Sequence, residues 1–234
     1  MSDWWQWSPI KANQKLGFAV VGIGRFGSAV CRELLRNGAD VLAVDFSEKA
    51  IEELRQLEPT TEAREVDATD EETMKEAGVL EMGTVVVGIS EPIEASITTT
   101  LIAKDTEGSL VKQVIARATS DLHEKMLKRV GADRVVFPSR MQGERLGLEL
   151  VRPNLIERLE LDDKTGIDEI KVPEVFVGRS LRDLNLRKNY FVNVLAAGPA
   201  QLLTVNPPAK YILEKDHVLV VMGSMEDLQK LPQT

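Results

Sequence analysis

Near the amino end an apolar run breaks into glycines: residues 18–30 read FAVVGIGRFGSAV, which spaces Gly22, Gly24 and Gly27 as G-x-G-x-x-G. This pattern fixes a strand, a turn too tight for a side chain, and a helix that opens at once. Gly22 permits the turn. Gly24 leaves room for a bound group to approach the backbone, and Gly27 lets the helix pack closely on the strand. The first N–H groups of such a helix lack intrahelical partners and carry a partial positive charge, so they form a site for phosphate. Asp45 closes the next apolar run, in LAVDFS. A carboxylate there accepts hydrogen bonds from ribose hydroxyls and repels a 2′-phosphate, which disfavours NADP.

Arg25 sets this loop apart. Its guanidinium starts in the first helical turn and can reach over phosphates as a planar donor fork. Downstream, VDATD (66–70) follows a third strand-like run, and Asp67 or Thr69 is expected to cap the next helix. In a doubly wound sheet this loop also lies at the carboxyl edge, where an adenine would sit. Gly88, Ile89 and Ser90 after the fourth run, and Arg117 after the fifth, fall on the same edge. Topology alone therefore brings Arg25, Asp45, Asp67 and Arg117 toward one crevice.

Strand-like and helical stretches alternate from Leu16 to Pro138, and the strand runs are near-continuously apolar, as buried parallel strands are. Phe26, Val30 and Leu34 mark the apolar face of the first helix, and Leu122, Met126 and Val130 that of the fifth. Gly38, Gly78 and Gly131 fall just past helix ends. An amphipathic helix follows from Ser139 and stops at Pro153. Beyond Leu155 come short strands (ERLEL, DEIKVP, FVNVLAA, QLLTVN, HVLVVMG) and two helices, SLRDLNL and SMEDLQKL. The expected organisation is an arm (1–15), a doubly wound parallel Rossmann-like α/β domain (16–138), a crossover helix (139–154) and a small α+β domain (155–234).

Composition narrows the function. A net charge of −8 opposes non-specific nucleic-acid binding. Cys31 is the single cysteine, which excludes an internal disulfide and fits a reducing compartment. His123 and His217 lie far apart without cysteines, so no metal site is indicated. No apolar run is long enough to span a bilayer, and the first residues do not read as a signal peptide. Trp4, Trp5 and Trp7 fit an arm packed on its own domain or on a neighbour. The second domain lacks a recognisable general acid–base pair, nucleophile elbow or P-loop, and Tyr190 and Tyr211 read as packing residues. The nucleotide therefore looks like a signal, not a reactant.

The motifs GIGRFG (22–27), Asp45, DAT (67–69), ARA (116–118), GADRVVFP (131–138), VGRSLRDLNLR (177–187) and NPP (206–208) together resemble the RCK (KTN, TrkA) family of regulators of potassium transport. The resemblance implies a cytoplasmic regulatory subunit that is peripheral to the membrane through a potassium-translocating partner. It implies pairing through the helix at 139–150 and a ring of dimers, an octamer. It also implies gating by ATP against ADP or by NADH against NAD. The family's nucleotide contacts fall on Gly22, Gly24, Arg25, Phe26, Gly27, Asp45, Asp67, Ala68, Thr69, Ile89, Ser90 and Arg117. Some members bind cyclic di-AMP in the second domain, at positions matching Arg187 and Asn193. Ser139 stands where many members carry a glutamate that helps hold a divalent cation, and a hydroxyl is a poorer ligand for a hard cation. Two alternatives stay open on the residues alone. One is a small NAD-dependent oxidoreductase, recognised by turnover of NADH. The other is a standalone nucleotide or cyclic-dinucleotide sensor, recognised by a different partner.

Overall fold

A computed structural model describes residues 17–233, so the tryptophan arm lies outside the described residues. Contacts divide these residues into two units, 17–141 and 142–233.

In the first unit six strands, β1 (Phe18–Val21), β2 (Val41–Asp45), β3 (Glu62–Glu65), β4 (Thr84–Val87), β5 (Gln113–Arg117) and β6 (Arg134–Val136), form a wholly parallel sheet. Its order is β3-β2-β1-β4-β5-β6. The chain winds outward from β1 to β3, then crosses to β4 and winds the other way. The doubly wound sheet read from the alternation is thus the observed one, with its switch point between β1 and β4.

Strand side chains alternate between the two faces. Val20, Val41, Ala43 and Val86 pack with Cys31, Ile51 and Leu54 of α1 (Arg25–Arg36) and α2 (Glu48–Leu57). Ala19, Val21, Leu42, Val44, Val85 and Val87 face the other way. They pack with Met74, Ala103 and Leu127 of α3 (Glu71–Glu76), α4 (Ile93–Asp105) and α5 (Asp121–Arg129). Burial of the Cys31 thiol pushes its pKa up to about 12, so this cysteine behaves as a small core hydrophobe.

Two expectations need correction. The edge strand β3 is not a continuous apolar run, because only Ala63 of its four residues is buried; an edge strand has solvent on one side. In α5 the face marked by Leu122 and Met126 points to solvent, 62% and 38% exposed, while His123 and Leu127 fill the core. The Nδ1 of His123 accepts the Thr119 N–H at 3.3 Å, and burial lowers its pKa, which holds the ring neutral. A residue that reads as polar is therefore a core residue, and the helix sits one position away from its apolar repeat.

The helix α6 (Pro138–Val151) spans the division between the units. In the second unit β7 (Leu155–Glu160), β8 (Thr165–Lys171), β9 (Asn193–Gly198), β10 (Thr204–Val205) and β11 (Val218–Ser224) form an antiparallel sheet of order β10-β9-β11-β8-β7. The SLRDLNL segment is two short helices, α7 (Leu181–Leu184) and α8 (Leu186–Asn189), divided by Asn185 in the left-handed region at φ 42°. The closing helix is α9 (Met225–Gln229).

Phe176, Leu213, Leu219, Val221 and Leu228 build this core, and Tyr190 meets Phe176 edge-on with ring centroids 5.8 Å apart. One charge lies inside it. Asp168 is fully buried and holds two arginines: Arg158 through Nε and Nη2, and Arg152 through Nη1, each at 2.7 Å. Arg152 also donates to the Leu228 carbonyl at 3.0 Å, joining the end of α6 to α9.

Candidate functional site

The glycine turn is built by close approach. Gly22 sits at φ +88°, and a Cβ there would stand 2.8 Å from the Ile89 nitrogen. A Cβ on Gly27 would lie 2.0 Å from the Gly22 carbonyl oxygen, so α1 can start against β1 only without a side chain at that position. Gly88 meets the same oxygen from β4, 2.7 Å from its would-be Cβ. This tight role of Gly88 was not read from the sequence, although its place directly after an apolar strand was the available signal. Around Gly24 nothing lies within 4 Å of a would-be Cβ. The space before the N-terminus of α1 is open, as phosphate approach requires.

Asp45 does more than end β2. Its Oδ2 accepts the Ile23 N–H at 2.5 Å and its Oδ1 accepts the Ser47 N–H at 2.8 Å. The carboxylate thereby ties the glycine turn to the next strand, and each oxygen keeps a lone pair for a ribose hydroxyl. Next to it, the Val66 N–H donates to the Asp45 carbonyl at 2.9 Å and carries the ladder into the DAT loop. In that loop Asp67 Oδ1 accepts the Thr69 N–H at 2.9 Å and the Thr69 hydroxyl at 2.6 Å. Those two bonds hold the Asp67 pKa below the ordinary carboxylate range. Neither Asp67 nor Thr69 caps α3. The cap is Asp70, which accepts the Thr73 N–H at 2.8 Å, because the Asx turn at Asp67 has already used that carboxylate.

Arg25 is exposed, and its guanidinium pairs with no group among the described residues. Arg117, at the end of β5, lies over the Phe26 ring with its guanidinium carbon 5.7 Å from the centroid, and its Nε is buried without a partner. Gly22, Phe26, Gly27, Asp45, Ile89 and Arg117 are linked by contact or bond around the β1/β4 switch point, with Asp67, Ala68 and Thr69 adjoining through Asp45. Gly24 lies in the same turn, open to the space before α1, and Arg25 is the first residue of that helix. Ser90 follows Ile89 and is half-buried. In the second unit Arg187 on α8 and Asn193 at the start of β9 are both exposed, and no bond joins them. Ser139 is exposed in the first turn of α6.

This is a Rossmann-like domain with a glycine-rich turn at its switch point, followed by a small antiparallel α+β domain. Residues 18–138 match the TrkA-N domain and residues 168–232 the TrkA-C domain. The chain is 34% identical to Ktr system potassium uptake protein C of Bacillus subtilis over 92% of its own length and 96% of that protein's. It is 31% identical to Ktr system potassium uptake protein A of the same organism over 91% of its length and 94% of the relative's. Among solved structures it superposes on the GsuK channel with a TM-score of 0.66 at 17% identity, covering 94% of this chain and 39% of the channel. The TrkA-N domain of the inner membrane protein YbaL from Escherichia coli superposes at 0.51 with 27% identity, covering 60% of this chain and 99% of that domain. The chain belongs to the family of proteins built from TrkA-N and TrkA-C domains, and is homologous to the Ktr potassium uptake proteins.

Proposed function

We propose that this chain is a nucleotide-sensing regulatory subunit that gates a membrane potassium-translocating partner from the cytoplasmic side. The observation that carries the reading is the open, glycine-lined N-terminus of α1 at the β1/β4 switch point, with Asp45 bonded into the same turn. Kinship with Ktr potassium uptake proteins over most of both chains supplies the transport role. In this reading the α1 N-terminus and Arg25 hold the phosphates of ATP or ADP, or the pyrophosphate of NAD(H). Asp45 holds the ribose, loop 67–69 the adenine, and Arg117 lies beside Phe26 at the phosphate end. The chain acts as a binding subunit and not as an enzyme. The exposed α6 residues Met141, Leu146, Leu150 and Val151 support pairing with a second copy and assembly of dimers into an octameric ring. Arg187 and Asn193 are candidates for a cyclic di-AMP site in the second unit.

A ligand shifts a conformational equilibrium only by its differential affinity for the two states. A tenfold preference is worth about 1.4 kcal/mol per site, and eight coupled sites compound it. The test is potassium flux through the membrane partner in liposomes, with this protein added and ATP, ADP, NAD or NADH varied. Flux should depend on the protein and differ between members of a nucleotide pair. Flux that ignores the protein under every nucleotide refutes the proposal.

The phosphate role has its own test. Arg25→Ala should weaken ATP more than AMP in a calorimetric titration, because the lost donor fork serves terminal phosphates. Asp45→Ala should weaken both by about 1.5–3 kcal/mol, since it removes charged hydrogen bonds shared by the two ligands. Equal loss for ATP and AMP in the Arg25 variant removes Arg25 from that role.

A further inference from the structure

The DAT loop is held by two threonine hydroxyls that come from different helices. Thr73, in α3, donates to the Asp67 carbonyl at 2.6 Å. Thr99, fully buried in α4, donates to the Ala68 carbonyl at 2.9 Å, across 31 residues of sequence. A buried helical threonine ordinarily returns its hydroxyl to the carbonyl four residues back. Thr100 does so, bonding the Ser96 carbonyl at 2.8 Å. Thr99 instead reaches out of its helix to the loop.

Peptide planarity makes these bonds consequential. In a trans peptide the carbonyl and the following N–H point in opposite directions. Fixing the Asp67 carbonyl therefore fixes the Ala68 N–H, which has no partner among the described residues. Fixing the Ala68 carbonyl likewise fixes the Thr69 N–H, which holds Asp67 Oδ1. The other carboxylate oxygen, Oδ2, stays free to accept. Thr73 thus sets a donor, and Thr99 sets an acceptor through the Thr69 peptide. A donor beside an acceptor matches the adenine edge, where N1 accepts and the 6-amino group donates. Hypoxanthine presents the reverse, an N1–H donor and an O6 acceptor.

We propose that Thr73 and Thr99 are positioning residues that set the base selectivity of the loop at Asp67–Thr69. The inference rests on the nucleotide reading above. Its test uses the full chain and calorimetric titration with ATP against ITP, and with NAD against its hypoxanthine analogue. The wild type should prefer the adenine form at least about tenfold, because a hypoxanthine leaves both loop groups facing like groups. Thr99→Val keeps the shape and removes the donor; it should lower that ratio about threefold to tenfold, and Thr99→Ser, which restores the hydroxyl, should recover it. If Thr99→Val does not fold, Thr73→Val on the more accessible α3 carries the same measurement. A selectivity ratio unchanged from wild type in the folded variants overturns the positioning role and leaves nucleotide binding standing. A wild type that binds no adenine nucleotide overturns the functional reading, and this inference with it.

Discussion

Asp168→Ala should unfold the carboxyl-terminal unit or bring it to the edge of unfolding. The substitution strands Arg152 and Arg158 in the core, where their side chains are 5% and 10% exposed, without their shared buried counter-charge; the more distant attraction of Glu160 remains for Arg158. Breaking a buried ion network from one side costs about 3–5 kcal/mol, because the remaining charges keep their desolvation penalty. That is most of the stability of a small domain. The hydrogen bond to Asp168 raises the Arg158 pKa in the native unit. The variant loses that bond, but a guanidinium is basic enough by itself that it cannot escape by losing its proton. Urea unfolding should show the transition of this unit moving to much lower denaturant. Replacing Asp168, Arg152 and Arg158 together by apolar residues of similar volume should be far milder than the single change. A single-variant shift below about 1 kcal/mol means the pair of arginines is rehydrated at little cost, and the account of this core is wrong.

Gly27→Ala should cost both stability and nucleotide affinity. Its methyl group would stand 2.0 Å from the Gly22 oxygen, which is backbone and not a movable side chain. Gly22 cannot retreat, because its N–H is bonded to the Val44 carbonyl at 2.8 Å and the Gly88 N–H holds the Val21 carbonyl at 2.7 Å. Helix α1 must therefore back away from β1, at a cost of about 1–3 kcal/mol or more, and the phosphate site moves with it. Nucleotide affinity should fall at least about tenfold, since each hydrogen bond to a charged phosphate lost by the displaced N–H groups is worth about 1.5–3 kcal/mol. Gly24→Ala is the matching control. Nothing stands within 4 Å of its would-be Cβ, so thermal stability should hold while the methyl fills space the phosphates need. Equal melting temperatures for Gly27→Ala and wild type would refute the packing argument.

The sequence carried the first unit well because its signals are local. Strand, glycine turn, helix and the acidic residue at the end of β2 occur in an order only one topology uses, and right-handed crossovers fix the rest. It failed where a tertiary contact outranks a local pattern. Leu122 and Met126 repeat at helical spacing, yet His123 takes the core position, where the Thr119 N–H bonds its Nδ1 while its Nε2 is buried without a partner among the described residues. Asp67 reads as a helix cap, but Thr69 claims its carboxylate and Asp70 caps instead. SLRDLNL reads as one helix, and Asn185 turns it left-handed in the middle. Of the candidate site, the glycines and Asp45 were legible as motif positions. The bond from Ile23 to Asp45, the close approach of Gly88 and the reach of Thr99 to Ala68 were not, since each joins residues far apart in sequence through a single backbone atom.

None of the fourteen residues of α6 is buried. Leu148 packs partly on the second core and Arg145 pairs with Glu149 and Glu157, exposed bonds of small worth. A helix of this length is marginal on its own. Arg140 adds pairs with Asp121 and Glu124 and lies over the Phe137 ring at 4.3 Å. Under the pairing proposed above, a second copy supplies the rest, and such a contribution follows the logarithm of protein concentration. Each tenfold dilution removes about 1.4 kcal/mol of it. Under that pairing a melting temperature for this chain has meaning only beside the concentration at which it was taken, and dilution alone should act on α6 as a denaturant does.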